Sequence, residues 1–342
     1  MNTFAAIQCK FKRMLSTNPK KPRESTGYTR VGMSVLYRKE LADQFRSKRF
    51  IIVLLLIAIT GIVSVYSAGM GIRQAVEQKG NEFVFLRLFT LGGNSLPSYA
   101  SFISFLGPLV GLALGFDAIN GERARGTLSR LLAQPIHRDS IINGKFLAGV
   151  TVLAIMLLSI GLAVGGLGIM LIGVPPTLEE LIRILIFIFF TIVYTALWLA
   201  ISMLFSLLFR QTATSALAGI ALWLFLTIFV SLLAGMAADA LFPVNDQSMV
   251  SEALRHEQWK QGLSRISPTE LYNEAVTTIL NPDVRTLGPV LLEQVEGAIA
   301  GVLPLGQSVL LVWPHMTGLL AGATICFAVS YICFMLQEVR AG

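Results

Sequence analysis

Six long apolar stretches divide this chain, and each is long enough to cross a bilayer as a helix. A hydrocarbon core about 30 Å thick requires about 20 predominantly apolar residues. No Lys, Arg, Asp or Glu lies near the centre of any of these stretches. The predicted spans are residues 50–70, 98–116, 146–174, 184–209, 213–238 and 314–336. The pattern therefore predicts an all-α polytopic membrane protein with six transmembrane helices.

The segment before the first span repeats its apolar residues at a helical period, with charged residues between them. The apolar residues are Met33, Leu36, Tyr37, Leu41 and Phe45. Such a helix lies in the membrane interface, although a solvated helix next to the membrane is the alternative. We therefore expect an N-terminal amphipathic interfacial helix at residues 31–49. Residues 1–30 are polar, show no cleavable signal and are expected to be disordered and cytoplasmic.

A polar segment of different character, residues 239–313, separates the fifth span from the sixth. It holds nine acidic residues against four basic ones. Within it, Ser267–Pro268–Thr269–Glu270 resembles a capping box with proline at the first helical position. The segment is therefore predicted to form a small helical extracytoplasmic subdomain.

Composition and charge agree with a membrane protein and set its orientation. The chain is 54% hydrophobic and 14% charged, whereas soluble domains carry about 25% charged residues. The net charge of +7 is unevenly distributed and requires no nucleic-acid partner. Six spans with both termini cytoplasmic place most lysines and arginines on the inside of the cell membrane. Residues 50–238 then hold five spans, and residues 314–342 hold the sixth span and a cytoplasmic C-terminus.

The sequence shows no recognisable catalytic, cofactor-binding or metal-binding motif. It has no HExxH, GxSxG or phosphate-binding loop, and its three histidines are far apart in the chain. Lys145 and Arg183 lie at span ends, where they are expected to extend toward the interface. We therefore expect a protein that is not an enzyme, with no cofactor in this chain.

The second span carries Gly107, Gly111 and Gly115 at four-residue spacing. This spacing removes the side chains from one helix face and allows another helix to approach closely. We interpret the three glycines as a helix-packing face. The spacing leaves open whether the partner helix belongs to the same chain or to a second protomer.

Residues 117–145 form a polar loop between the second and third spans, with five cationic residues against three acidic ones. Gly126 and Thr127 can begin a short helix, and Gln134–Pro135 can end it after about two turns. Asp139 or Ser140 is expected to cap the third span. The loop is therefore predicted to hold a short cytoplasmic helix between two membrane helices, although an ordinary capped turn is the alternative.

The motif FDAINGERARGTLSRLLAQPIHRDSIINGKFLAG resembles the loop between spans two and three of type-2 ATP-binding-cassette (ABC) transporter permeases. YRKELADQFRSKRF is similar to the connecting helix of that family. SPTELYNEAVTTILNP resembles the branch that contains the permease for nitrous-oxide reductase maturation.

This resemblance implies an ABC exporter permease subunit that contacts membrane lipid and pairs with a second protomer, as a homo- or heterodimer. It also implies a separate ABC ATPase subunit, which binds the ATP and docks on the loop. The implied ATPase-coupling residues are Asn120, Glu122, Arg123, Arg125, Thr127, Leu128, Leu131, Leu132, Pro135 and Arg138. Within this group, Glu122, Arg123 and Arg125 are expected to pair with charges on the ATPase.

Two other classes of function remain open at this point. One is a membrane scaffold or sensor that couples an ATPase to an extracytoplasmic partner without transport. The other is a secondary carrier that works without an ATPase. Vectorial movement of a substrate that depends on the ATPase distinguishes the exporter from both.

Overall fold

The protein is described from a computed structural model, which describes residues 26–76, 83–92, 96–134, 137–243, 250–283 and 303–336. The helices are α1 Thr26–Arg46, α2 Lys48–Val76, α3 Val84–Thr90, α4 Tyr99–Gly115, α5 Asn120–Ala124, α6 Thr127–Leu132, α7 Arg138–Ile172, α8 Leu178–Leu208, α9 Thr212–Leu224, α10 Val230–Leu241, α11 Val250–Ser264, α12 Pro268–Leu280 and α13 Leu305–Leu336. A π-helical turn, Phe225–Phe229, joins α9 to α10.

Six helical segments of the described chain are long and apolar enough to cross a membrane. They are built on α2, α4, α7, α8, the continuous pair α9–α10, and α13. The all-α fold class with six spans is therefore confirmed. Disorder was predicted for residues 1–30: residues 1–25 lie outside the described residues, but α1 begins at Thr26, so residues 26–30 are helical.

Several predicted span boundaries differ from the helices, and the fourth span begins at Leu178 rather than at residue 184. The third span begins at Arg138 rather than at residue 146, so the loop after α4 comprises residues 116–137. The N-cap is His137 rather than Asp139 or Ser140, and Asp139 lies in the first turn, where a carboxylate favours the helix dipole. The sixth span begins at Leu305 rather than at residue 314, because Pro314 lies inside α13 instead of starting it.

The fourth span, α8, lies at the centre of the bundle. In the most apolar 18-residue part of α8, 78% of the residues are buried, compared with 11% in the corresponding part of the α9–α10 span. The glycine face of α4 packs directly on α8. A Cβ atom on Gly111 would lie 2.5 Å from the carbonyl oxygen of Thr195, and one on Gly115 would lie 2.8 Å from Cβ of Ser202. The packing partner of these glycines is therefore a helix of the same chain.

Gly111→Ala is expected to lower the free energy of unfolding by about 1–3 kcal/mol, because the added methyl group overlaps the α8 backbone. Thermal unfolding in detergent measures the change. Gly165→Ala in α7 is the matched control, because its Cβ would enter open space. The control should be neutral or stabilising by up to about 1 kcal/mol. Equal effects of the two substitutions would show that α4 does not pack on α8 through Gly111.

Where the structure describes it, the predicted extracytoplasmic subdomain packs against the spans rather than forming a separate unit. Helix α12 is inserted among them: the Tyr272 hydroxyl lies 2.8 Å from Oγ1 of Thr191 in α8, and the Tyr272 ring stacks on Tyr194. Pro268 does occupy the first position of α12, but Ser267 makes no capping hydrogen bond, so the predicted capping box is wrong. Residues 284–302 of the predicted subdomain lie outside the described residues.

Candidate functional site

The α4–α7 loop, residues 116–137, carries the short helix that the sequence predicted. Helix α6 begins directly after Gly126, whose φ of 69° lies in the left-handed region that favours glycine. The Thr127 hydroxyl donates to the carbonyl oxygen of Glu122 at 3.2 Å and ties α6 to α5. The sequence thus located α6 correctly, because a glycine followed by threonine is a local signal.

One side of α6 points away from the protein. The exposed residues are Arg125, Thr127, Ser129 and Arg130, and we name them the docking face. Leu128 instead is only 1% exposed and packs into the core, and Leu131 is half-buried. The prediction that Leu128 forms part of a surface for a partner is therefore wrong: this side chain attaches α6 to its own bundle.

Lys145 lies at the centre of a buried ionic cluster that includes Glu40 and Glu122. Its Nζ lies 2.8 Å from Oε1 of Glu122 and 3.0 Å from Oε2 of Glu40, and the three side chains are 5–11% exposed. The expectation that Lys145 extends to the interface is wrong, because α1 and α5 cover it. Glu122 is likewise committed to Lys145 rather than accessible to a partner. The cluster joins α1, α5 and α7.

The start of α5 is fixed to the end of α8. The Ser206 hydroxyl accepts the backbone N–H groups of Ile119 at 2.9 Å and Asn120 at 3.1 Å. Asn120 is fully buried, and its Nδ2 donates to the carbonyl oxygen of Gln211 at 3.4 Å. Asn120 therefore positions the loop and does not reach a partner. No pattern in the sequence pointed to Ser206, because it is a single hydroxyl inside an apolar span.

The remaining predicted coupling residues are distributed around this core. Arg123 is half-buried, and Arg138 is exposed at the first position of α7. The side chain of Leu132 and the whole of Pro135 lie outside the described residues. Arg49, which the sequence did not single out, forms an ion pair with Asp117 at 2.6 Å and attaches the start of α2 to the loop.

Together these contacts describe a mechanical arrangement. The docking face is exposed, whereas Leu128 of α6 is buried and Thr127 ties α6 to Glu122 of α5. Residues 117–122, in and just before α5, contact α1 and α7 through the Lys145 cluster, α2 through Arg49 and α8 through Ser206. A force on α6 would therefore reach several membrane helices at once. No group of His, Cys, Asp and Glu suitable for a metal ion is found among the described residues.

Comparison with known proteins identifies the class to which this arrangement belongs. Residues 34–339 match a family model described as ABC-2 family transporter protein. The chain belongs to this family. The predicted resemblance is thereby confirmed over a range that runs from α1 past the end of α13.

Two curated relatives of this ABC-2 chain carry the name "Probable ABC transporter permease protein NosY". The protein from Stutzerimonas stutzeri is 36% identical over 137 residues, which cover 40% of this chain and 44% of the relative. The protein from Pseudomonas aeruginosa is 34% identical over 145 residues, which cover 42% of this chain and 47% of the relative. The chain matches less than half the length of each relative.

At the opposite end of the bundle, Arg183 in α8 is fully buried. Its guanidinium donates to the carbonyl oxygens of Ile279 at 3.0 Å and Leu303 at 2.7 Å, and to Glu179 at 2.8 Å. The expectation that Arg183 extends to the interface is therefore wrong. The two carbonyl oxygens come from far along the chain, so the sequence could not reveal them, whereas Glu179 lies one helical turn before Arg183.

A further polar cluster joins α12 to α13. Nε2 of His315 lies 2.6 Å from Oε2 of Glu274, which also accepts from Nε of Arg265 at 2.9 Å. Burial favours the neutral acid, but the hydrogen bonds from His315 and Arg265 outweigh it and hold the pKa of Glu274 below its usual value. Glu274 therefore attaches α12 to α13 as a carboxylate.

Proposed function

We propose that this chain is the membrane-spanning permease subunit of an ABC exporter, driven by a separate ATPase that docks on α6. The observation that carries the proposal is the exposed docking face on α6, a helix that Thr127 ties to α5, whose Glu122 belongs to the Lys145 cluster. Family membership and the names of the relatives support the same assignment. ATP is bound by the partner ATPase, because the sequence has no phosphate-binding loop.

The geometry suggests how the ATPase would drive the permease. Closure of the ATPase would displace α6, and the loop contacts would pass this displacement to α4, α7 and α1 as a rigid-body motion. Packed helices move as units because their interiors resist continuous deformation. The ATPase would therefore supply the energy, and the spans would supply the surface along which a substrate moves.

The assembly and orientation are further parts of this proposal. We propose that two permease protomers, identical or related, associate in the inner cell membrane with two ATPase subunits. The termini lie on the cytoplasmic side together with α6, as the distribution of lysine and arginine favours. A scaffold that uses the ATPase without transport is the competing function, and only vectorial transport by the reconstituted complex separates the two.

Arg130→Glu is expected to weaken binding of the ATPase at least about ten-fold, because it reverses a charge in the docking face. Co-purification of the ATPase with the permease measures the effect. Arg38→Glu is the matched control: Arg38 is also exposed, but it lies on α1 outside the docking face. Wild-type binding by Arg130→Glu, or an equal loss in Arg38→Glu, would contradict docking on α6.

A further inference from the structure

A cavity of about 540 Å³ lies between α1 and the α4–α7 loop, and it shares Arg125 and Thr127 with the docking face. Five cationic and four acidic side chains contribute to its wall, so the lining carries a net positive charge. The cationic residues are Lys39, Lys48, Arg49, Arg125 and Lys145. A polar cavity with excess positive charge favours a ligand that carries negative charge.

Most of these charges already have partners within the protein. Lys145 pairs with both Glu40 and Glu122. Arg49 pairs with Asp117 at 2.6 Å, and Lys39 lies 3.8 Å from Asp43.

Two cationic residues of the lining remain after these ion pairs are assigned. Lys48 and Arg125 are exposed, and neither side chain has an ion-pair partner within the part of the chain that the structure describes. Lys48 begins α2, whereas Arg125 directly follows α5. These two cations are therefore the groups that an anion in the cavity can use.

The position of the cavity identifies the kind of anion. Its wall includes the first residues of α2, the last residues of α4 and Lys145, which lies about two turns inside α7. All three helices belong to candidate membrane spans. Because α2 begins beside the cavity and α4 ends there, a lipid headgroup is the anion that this position favours. Leu114, Leu199 and Met203 provide an apolar part of the wall, which suits the carbon atoms beside a lipid phosphate. A freely soluble anion would make no use of this apolar part.

We propose that the cavity binds the headgroup of an anionic phospholipid, with its phosphodiester between Lys48 and Arg125. A single negative charge matches the one excess cation of the lining. The bound headgroup joins the start of α2 to Arg125, which is also a residue of the docking face. Lipid composition thereby regulates how firmly the loop is held, in addition to the Arg49–Asp117 ion pair.

The test uses the full chain without any ATPase, in phosphatidylcholine nanodiscs that contain a small fraction of spin-labelled phosphatidylglycerol. The wild-type protein is expected to immobilise phosphatidylglycerol in preference to labelled phosphatidylcholine. Lys48→Gln and Arg125→Gln should each weaken this preference about five-fold, the effect of one cation near an anionic headgroup. Arg46→Gln is the matched control, because Arg46 is exposed two residues before Lys48 but does not line the cavity.

Three results would overturn the proposal. Equal losses in Arg46→Gln and Lys48→Gln would indicate diffuse attraction to the membrane surface rather than a site. An equal affinity for phosphatidylcholine would exclude a role for the negative charge. Displacement of the lipid by glycerol 3-phosphate at the same concentration would assign the site to a soluble phosphate. Because no ATPase is present, failure here is distinguishable from failure of the proposed transport function.

Discussion

Replacing Lys145 with methionine is expected to lower the free energy of unfolding by about 3–5 kcal/mol. The substitution removes the shared counter-charge of Glu40 and Glu122, which lie 3.0 and 2.8 Å from Nζ and are largely buried. Two carboxylates would then remain in a region of low dielectric without a cation. Unfolding of the purified protein in mixed detergent micelles, followed by circular dichroism, measures the loss.

Two companion variants separate burial of charge from simple loss of a lysine. Lys39→Met is the surface control, because the Lys39 side chain is 54% exposed and exposed ion pairs contribute about 0–1 kcal/mol. The triple variant Lys145→Met, Glu40→Gln, Glu122→Gln should recover most of the loss, since no uncompensated charge remains. If Lys145→Met destabilised the protein no more than Lys39→Met, the ionic cluster would not hold α1, α5 and α7 together.

Arg183→Met is the second substitution with a large expected effect, a loss of about 2–5 kcal/mol. It leaves the carbonyl oxygens of Ile279 and Leu303 without the donors that lie 3.0 and 2.7 Å away. Those carbonyls belong to the end of α12 and to the segment two residues before α13 begins. The substitution should therefore loosen α12 more than the rest of the bundle, which hydrogen exchange of the α12 amides can detect.

Two variants test whether the guanidinium shape matters at this position. Arg183→Lys should recover little, because one ammonium group cannot reproduce the fork that reaches two carbonyl oxygens. Arg210→Met is the matched control: Arg210 is an exposed arginine just past the other end of α8. Similar stability of the Arg183 and Arg210 variants would show that Arg183 does not fix α12.

The six spans and the position of α6 could be predicted because their signals are local. Apolar runs of sufficient length define spans, and Gly126 marks the start of α6 through its left-handed backbone. The span boundaries were harder to predict where a residue is compatible with two positions in a helix. Pro314 can start a helix or lie within one, and here it lies within α13.

The contacts that hold the candidate site together could not be predicted from the sequence. Lys145, Glu40 and Glu122 come from three separate segments, and no spacing rule connects them. A leucine at position 128 is compatible with either an inward or an outward side of α6. Only the packing of the loop determines that Leu128 faces inward. For the same reason, the surface of α6 that is open to a partner is polar rather than apolar.

The central claim is that force on α6 reaches the membrane spans through the Lys145 cluster. Spin labels at Ser101 near the start of α4 and at Leu241 at the end of α10, both exposed, can report it. In the reconstituted complex with its ATPase, we expect ATP to change the distance between these labels in the wild-type protein. The triple variant should still bind the ATPase but show a much smaller change, whereas an identical ATP-dependent change in that variant would contradict the claim.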